Sequence, residues 1–229
     1  MNIQRYGVLI CAHNEADYIG SVVRSVININ PSEIVVVDDG STDHTAALAQ
    51  QAGATVIRNR KNLGKGSSLK RGFKIMLEKG VDAVVVIDGD SQHDPNEIPL
   101  FLEAYERTGI PILIGSRMSN TQGMPFMRKW TNRFFALVLN RLMKIYVADP
   151  PCGFRFYRAD VLPFIMSSEK QFAFEFDVLL RAASRKIRID SVRISTIYVD
   201  KRHSHIEFFR DTWLLARVIR NHFLRMKQI

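Results

Sequence analysis

The amino-acid sequence predicts an α/β protein with a mostly parallel central sheet flanked by helices. Short apolar runs rich in β-branched residues alternate with amphipathic segments, and this alternation is typical of strand–helix–strand units. The fourth run includes the consecutive apolar residues 84–87, which indicates a strand that helices cover on both faces. We therefore expect this strand at the centre of the sheet. The predicted strands are residues 6–11, 33–37, 54–57, 81–87 and 110–114.

Length and charge predict one globular domain with a basic second half. The chain has 229 residues, of which 46% are hydrophobic, and a formal net charge of +9. Nucleic acid, anionic lipid and phosphorylated small molecules all respond to such a charge. Basic residues are dense in residues 117–144 and 201–227. The two cysteines, Cys11 and Cys152, match no metal-binding or redox spacing, so we expect reduced thiols.

No segment of the sequence is apolar enough to cross a membrane. The longest candidate, residues 134–147, is interrupted by Asn140, Arg141 and Lys144, whereas a spanning helix needs about 20 apolar residues. Polar residues directly follow the short apolar stretch 7–12, unlike the pattern of a secretory signal. We expect a cytoplasmic protein.

Several helices are predicted from their starting residues and their periodicity. Ser41, Thr42 and Asp43 precede an alanine-rich stretch, and Asp94 with Pro95 precedes another, as is typical of helix N-termini. Further helices are predicted at residues 67–78, 175–185 and 208–226, and a loop at 119–125.

Polar residues follow four of the five predicted strands. In an open parallel sheet, ligands bind beyond the carboxyl ends of the strands, so a site is expected there. The residues are His13, Asn14 and Glu15 after the first strand, Asp38 and Asp39 after the second, Asp88, Gly89, Asp90 and Gln92 after the fourth, and Ser116 and Arg117 after the fifth.

Asp88 and Asp90 form a candidate site for a divalent cation. Carboxylate oxygens are ligands that Mg²⁺ prefers, and this ion often takes one or two carboxylates while water and phosphate oxygens fill its other positions. Gln92 is a candidate third oxygen donor. A solvated turn explains an isolated Asp-Gly-Asp equally well, but the position directly after a buried strand favours the metal site.

Two further segments are candidates for nucleotide binding. Asp38 and Asp39 follow a buried strand, where a carboxylate is placed to accept hydrogen bonds from a ribose or a base, while residues 41–43 are better explained as helix caps. The sequence Gly64-Lys65-Gly66-Ser67 is not a P-loop, because Asn59 stands where that motif needs glycine and glycine follows the lysine. We expect Lys65 to reach a bound nucleotide, although a solvated lysine fits the sequence equally well.

Seven short motifs follow one another along the chain. They are Cys11-Ala12-His13-Asn14-Glu15, Val36-Val37-Asp38-Asp39-Gly40-Ser41-Thr42-Asp43, Asn62-Leu63-Gly64-Lys65-Gly66, Asp88-Gly89-Asp90-Ser91-Gln92-His93, Gly115-Ser116-Arg117, Asp149 with Gly153-Phe154-Arg155, and Glu175-Phe176-Asp177. Their order and spacing resemble the family-2 glycosyltransferases with the GT-A fold, and within that family the dolichol-phosphate mannosyltransferase and polyprenyl-phosphate glycosyltransferase branch. Two departures stand out. The usual Pro-Ala-Tyr-Asn-Glu opening is changed at residues 11–15, and the late Arg-x-x-Gly-x-Ser stretch, here starting at Arg202, lacks its glycine.

The resemblance implies a Rossmann-like GT-A sheet in a single domain, 1–229. Residues of about 1–118 would bind a UDP- or GDP-linked sugar, and residues of about 119–229 would form the acceptor side and end in an amphipathic helix. The resemblance also implies that Glu15 and Asp39 hold the nucleoside. The predicted donor-binding residues are Ala12, Asn14, Glu15, Asp39, Lys65, Asp88 and Gly89. The predicted ligands of Mg²⁺ or Mn²⁺ are Asp88, Asp90 and Gln92.

The expected activity is metal-dependent, inverting transfer of a hexose to polyprenyl or dolichyl phosphate in cell-envelope glycan synthesis. The predicted acceptor-binding residues are Arg117, Arg128 and Arg202, because a guanidinium group matches phosphate oxygens. The catalytic residues implied by the resemblance are Arg117 and Asp177. A phosphate acceptor with a second pKa near ~6 needs no base at neutral pH. The alternative acceptor is a hydroxyl of a glycan or glycolipid, with Asp177 as the base.

The basic amphipathic stretch 208–226 predicts either a helix on an anionic membrane surface or a helix packed on its own domain. Two rival functions fit less well. A nucleotidyltransferase would carry a glycine-rich, basic loop after its first strand, which is absent here. A non-catalytic module that binds anions or nucleic acid would explain the charge, but no nucleic-acid-reading motif is present, so we expect no nucleic-acid partner.

Overall fold

The computed structural model describes residues 3–118, 126–143, 147–167, 169, 173–195, 197 and 208–226. Its centre is a seven-stranded sheet with the strand order β3-β2-β1-β4-β6-β5-β7. The strands are β1 (Tyr6–Ala12), β2 (Glu33–Asp38), β3 (Thr55–Arg58), β4 (Ala83–Asp88), β5 (Ile112–Ser116), β6 (Arg155–Arg158) and β7 (Ile189–Arg193). The strand that the sequence predicts to be central, β4, is the middle strand, and its first five residues are buried.

The sheet is mostly parallel, which confirms the predicted fold class. Among the described strands, β1 pairs in parallel with β2 and β4, β2 with β3, and β5 with β7. β6 lies antiparallel between β4 and β5. The five predicted strands are all present, whereas β6 and β7 were not expected from the sequence.

Helices cover the sheet and continue into the second half of the chain. They are α1 (Ile19–Ile27), α2 (Thr45–Gln51), α3 (Lys65–Glu78), α4 (Ile98–Thr108), α5 (Phe126–Met143), α6 (Leu162–Ile165), α7 (Ala173–Ser184) and α8 (Phe208–Met226). Short 3₁₀ turns, Pro95–Glu97 and Ala159–Val161, precede α4 and α6. The predicted helices are present, and α3 and α7 each begin two residues before the expected position. The loop predicted at 119–125 lies outside the described residues.

Packing brings α3 against the sheet and α8 against α7. A Cβ atom at Gly72 of α3 would lie 2.3 Å from Leu9 Cδ1 of β1, so glycine allows the close approach of this helix. Val218 and His222 are buried on one face of α8, and this helix contacts α7. Cys11 and Cys152 are buried and free. Within the described ranges, no helix combines the length and the apolar character needed to cross a membrane.

Candidate active site

The ends of three neighbouring strands bring the predicted acidic residues to one edge of the sheet. Parallel pairing sets Cys11 opposite Asp88 and Ala12 opposite Asp38. The backbone N–H of Gly89 donates to the carbonyl of Cys11 at 3.3 Å, and a Cβ atom at Gly89 would lie 3.1 Å from Ala12 Cβ. The predicted donor-binding residues Ala12, Asp88 and Gly89 therefore lie side by side.

Hydrogen bonds join the loop after β1 to the loop after β2. Asn14, which has a φ of 56°, accepts a hydrogen bond on its side-chain oxygen from the backbone N–H of Thr42 at 2.9 Å. The N–H of Asn14 donates to Ser41 Oγ at 2.9 Å, and the N–H of Glu15 donates to Thr45 Oγ1 at 2.8 Å. These bonds fix the position of Asn14 and Glu15 beside the acidic strand ends.

Asp39 holds the loop that leads into α3. Its buried carboxylate accepts hydrogen bonds from Asn59 Nδ2 at 2.7 Å and from the backbone N–H groups of Leu63 at 3.0 Å and Gly64 at 2.7 Å. Three of about four acceptor positions of the carboxylate are therefore used within the protein. Through this loop, Asp39 positions Lys65. This role does not depend on any contact between Asp39 and a nucleoside.

Lys65 contacts two carboxylates from different parts of the chain. Its Nζ lies 2.7 Å from Asp88 Oδ1 and 3.2 Å from Glu175 Oε1. Burial acts to raise the pKa of Asp88, but the charges of Lys65 and Arg117 among others hold it below its ordinary value. The lysine predicted to reach the donor thus pairs with a predicted metal ligand. Glu175, which the sequence analysis did not include in the site, is its second partner.

Asp90 and His93 lie beside Asp88 at the same edge of the sheet. Burial and the nearby charge of Asp88 raise the pKa of Asp90 to about 6, and Glu15 acts in the same direction. The backbone N–H of Gln92 donates to Asp90 Oδ1 at 3.0 Å. Burial lowers the pKa of His93 to about 4, and its Nε2 lies 3.9 Å from Asp88 Oδ2.

The charges at this edge suit a divalent cation that is shared with a ligand. Among the described residues, no three carboxylate, imidazole or thiol groups come together closely enough to hold a metal ion. Asp88 and Asp90 nevertheless lie close enough for the charge of Asp88 to raise the pKa of Asp90, as is expected of two carboxylates that share one site. Proteins often supply only one or two carboxylates to a divalent ion that also binds substrate phosphates. Asp88 and Asp90 therefore fit such a metal.

Arg117 lies close enough to Asp88 for its charge to lower the pKa of that carboxyl, but its guanidinium donates hydrogen bonds to another carboxylate. Its Nε and Nη2 donate to Asp149 at 2.7 and 2.9 Å, and Asn132 Nδ2 donates to the same carboxylate at 3.0 Å. Arg117 is 3% exposed. The two other predicted acceptor arginines cannot be compared with it, because the side chain of Arg128 and the whole of Arg202 lie outside the described residues.

Asp177 is the predicted base for the alternative hydroxyl acceptor. It is completely buried, and its Oδ2 accepts hydrogen bonds from Ser167 Oγ at 2.6 Å and from Arg181 Nε at 2.7 Å. These contacts are typical of a carboxylate that stabilises the fold. Glu175, on the same helix, is the acidic residue of this motif that contacts Lys65.

A separate basic depression of about 500 Å³ lies beside β3 and the loop that leads into α3. It is lined by Arg58, Asn59, Arg60, Lys61, Leu63 and Arg71. Two of these arginines are partly engaged, since Arg58 Nε lies 3.0 Å from Asp38 Oδ2 and Arg71 Nη1 donates to Asn59 Oδ1 at 2.6 Å. The acidic strand ends are not part of its lining.

Known proteins resemble this chain in sequence and in fold. The family model described as glycosyl transferase family 2 matches residues 7–164. The UDP-N-acetylglucosamine–dolichyl-phosphate N-acetylglucosaminyltransferase of Methanococcus voltae is 27% identical over 84% of this chain and 86% of its own length. The dolichol-phosphate mannosyltransferase of Pyrococcus furiosus is 33% identical over 80% of this chain and 54% of its own length.

The same fold is found in a crystal structure of glucosyl-3-phosphoglycerate synthase from Mycobacterium tuberculosis in complex with Mn²⁺, UDP and phosphoglyceric acid. It superimposes with a TM-score of 0.72 at 20% identity and covers 96% of this chain and 78% of its own. The family match covers more than half of the residues and includes the strand ends that carry Asp39, Lys65, Asp88 and Asp90. The chain therefore belongs to glycosyl transferase family 2 and is a glycosyltransferase.

Proposed function

We propose that the chain catalyses the metal-dependent, inverting transfer of a sugar from a UDP- or GDP-linked donor to polyprenyl or dolichyl phosphate. The observation that carries this proposal is the cluster of Asp88, Asp90 and Lys65 at the carboxyl edge of the sheet. Support for a lipid-phosphate acceptor comes from the names of the two relatives, which both refer to dolichyl or dolichol phosphate.

The donor diphosphate is assigned to the edge formed by the loops after β1, β2 and β4. Asp88 and Asp90 would hold a Mg²⁺ or Mn²⁺ ion, with Gln92 as a further oxygen donor. This ion would stabilise the negative charge that develops on the leaving diphosphate. Mn²⁺ with UDP in a protein of the same fold supports this assignment. Glu15 and Asp39 are proposed to orient the nucleoside, and Ala12, Asn14 and Gly89 to bring the backbone close to it.

With a phosphate acceptor, the transfer would need no base beside the reacting atoms. An oxygen of the lipid phosphate, which is ionised at neutral pH, forms the new bond to the anomeric carbon. The old bond from this carbon to the diphosphate oxygen breaks, its electron pair leaves with the diphosphate, and the configuration inverts. Arg128 and Arg202 are proposed to attract and orient this phosphate. Arg117, which was predicted to share this role, is buried and paired with Asp149, so we propose that it stabilises the acceptor side instead. Asp177 then stabilises α7 rather than removing a proton.

The acceptor lipid suggests that the enzyme works at a membrane surface on the cytoplasmic side. The outer face of α8 supports this role, because Trp213 and Leu224 are 66% and 54% exposed and Arg220 is also exposed. Exposed aromatic and aliphatic side chains beside basic residues are typical of helices that bind anionic lipid. The opposite face of α8 packs on α7, and the exposed face is the one that we propose binds the membrane.

The test is a transfer assay with the full chain and a panel of UDP- and GDP-sugars. Undecaprenyl or dolichyl phosphate in detergent is the acceptor, with Mg²⁺, Mn²⁺ or EDTA, and lipid-linked product is measured by mass spectrometry. We expect product with metal and little with EDTA, and about a hundredfold lower rate in Asp88→Asn. Asp160→Asn, a matched change on the exposed turn beyond β6, should keep the wild-type rate. Transfer to glycan hydroxyls alone would refute the lipid-phosphate acceptor.

A further inference from the structure

The ammonium group of Lys65 lies between two carboxylates, one accessible and one buried. The Nζ atom lies 2.7 Å from Asp88 Oδ1 and 3.2 Å from Glu175 Oε1. Lys65 and Asp88 keep 30% and 24% of their side-chain surface exposed, whereas Glu175 keeps 4%. An arriving ligand therefore meets Asp88 and Lys65, while Glu175 lies behind them.

Neighbouring groups hold this arrangement firmly. A Cβ atom at Gly153 would lie 2.4 Å from Asp88 Oδ2 and 2.7 Å from Lys65 Nζ, so the ion pair fills the space beside Gly153. The backbone carbonyl of Glu175 accepts a hydrogen bond from the buried Arg155 at 3.2 Å. The same guanidinium donates to the carbonyl of Cys152 at 2.7 Å. Arg155 thus ties the start of α7 to the segment that carries Gly153.

A metal ion and an ammonium group compete for Asp88. A divalent cation bound to this carboxylate would repel Lys65 Nζ strongly at contact distance, because both are positive and water is partly excluded. Lys65 would have to leave Asp88, and a half-buried ammonium without a partner charge would be costly. Glu175 removes that cost, because its carboxylate already contacts the ammonium and stays in place.

We propose that Lys65 is the resident counter-ion of Asp88, that metal binding displaces it, and that Glu175 is the positioning residue that retains the displaced ammonium. This inference rests on the proposed metal-dependent function. In the metal-free protein, Lys65 neutralises Asp88. In the loaded protein, the same ammonium stays paired with Glu175 beside the bound diphosphate.

Metal affinity without nucleotide tests the displacement directly. The Kd of Mn²⁺ is measured by electron paramagnetic resonance for the wild type, Lys65→Met, Glu175→Gln and the double variant. Lys70→Met is the matched control, because it removes a lysine charge from an exposed position of the same helix. We expect Lys65→Met to bind Mn²⁺ about tenfold more tightly than the wild type, because the competing charge is gone. The control should bind like the wild type.

The double variant separates retention of the ammonium from the general effect of a negative charge. Glu175→Gln should weaken Mn²⁺ binding about tenfold when Lys65 is present and about threefold or less in the Lys65→Met background. Equal effects in both backgrounds would overturn the role of Glu175. An unchanged or weaker affinity in Lys65→Met would overturn the displacement.

Two further measurements keep these outcomes interpretable. Lys65→Gln, which keeps a hydrogen-bonding side chain without the charge, replaces Lys65→Met if that variant does not fold, and the same gain in affinity is expected. Wild-type Mn²⁺ binding is also measured with UDP and with GDP. If the wild type binds Mn²⁺ with nucleotide but Lys65→Met shows no gain, this inference alone fails. If no variant binds Mn²⁺ under any condition, the metal-dependent function fails with it.

Discussion

Gly153 determines how closely the charged groups of the site can pack. Asp88 and Lys65 lie so near its backbone that a single added carbon would overlap both side chains. The polar ends of an ion pair are not free to move away without losing their contact. The position therefore requires glycine for lack of space rather than for a special backbone angle.

We predict that Gly153→Ala leaves the fold intact but disrupts the Lys65–Asp88 pair. The added Cβ would displace the carboxylate, and a displacement of this size at a reacting site lowers the rate about a hundredfold. Transfer rate and circular dichroism measure the two effects. Gly20→Ala is the control, because its Cβ would meet only the end of the Arg24 side chain, at 3.3 Å. Normal activity in Gly153→Ala would contradict the described geometry.

Asp177 gives a prediction about stability rather than chemistry. In Asp177→Asn the Arg181 guanidinium loses its partner charge, so we expect the free energy of unfolding to fall by about 2 kcal/mol and Tm by about 4–8 °C. The kcat of the folded variant with lipid phosphate should stay within about threefold of the wild type, because an ionised acceptor needs no base. Arg181→Gln should lose similar stability. A kcat loss above about a hundredfold at normal Tm would identify Asp177 as a base.

The sequence predicts the acidic strand ends well and their counter-ions poorly. Asp88 and Asp90 follow a buried apolar strand, and that position alone indicates a site. Glu175 and Asp177 stand two residues apart on α7, which turns their side chains about 200° apart around the helix axis. The motif cannot tell which of them faces the donor. The contact of Lys65 with both Asp88 and Glu175 depends on the packing of α3 against β1 and α7, which no local pattern encodes.

β6 illustrates why the antiparallel part of the sheet escapes prediction. This strand has only four residues, and arginine stands at both ends. Arg155 is 1% exposed because carbonyl groups of Pro150, Cys152 and Glu175 accept its hydrogen bonds. Local patterns associate arginine with exposed segments, so the sequence does not identify β6 as a strand. β7 has only partly buried or exposed positions and gives no strong apolar signal.

The outer face of α8 predicts binding to anionic membranes. We expect the wild type to co-sediment with vesicles that contain anionic lipid, and the double variant Trp213→Ser with Arg220→Glu to lose at least about half of this binding. Arg217 is left unchanged, because it contacts Glu169 at 3.1 Å and so contributes to packing. Leu100→Ser with Lys74→Glu is the control, since both positions are exposed on other helices. Equal loss in both double variants would refute a specific role of α8.

Across the whole molecule, the charged residues of the site extend beyond the region that the family model matches. The family model covers residues 7–164, which include Asp88, Asp90, Lys65 and Gly153. Glu175 lies beyond this region, on the helix that also packs against α8. The half of the fold built from β1 to β4 is predictable because each strand is followed by a helix. The second half of the chain contributes Glu175 to the proposed donor site through its contact with Lys65, a residue far away in sequence.

The division of metal ligands between protein and substrate gives a prediction for the complete enzyme. Asp88, Asp90 and Gln92 would supply three of about six positions around Mg²⁺ or Mn²⁺, so diphosphate oxygens and water must fill the others. We expect UDP or GDP to tighten Mn²⁺ binding at least about tenfold in calorimetric titrations, because each ligand completes the site of the other. Asp88→Asn should abolish this coupling, while Asp160→Asn, whose carboxylate pairs with Arg158 at the far end of β6, should keep it. Equally tight Mn²⁺ binding without nucleotide would contradict a metal site that is shared with the diphosphate.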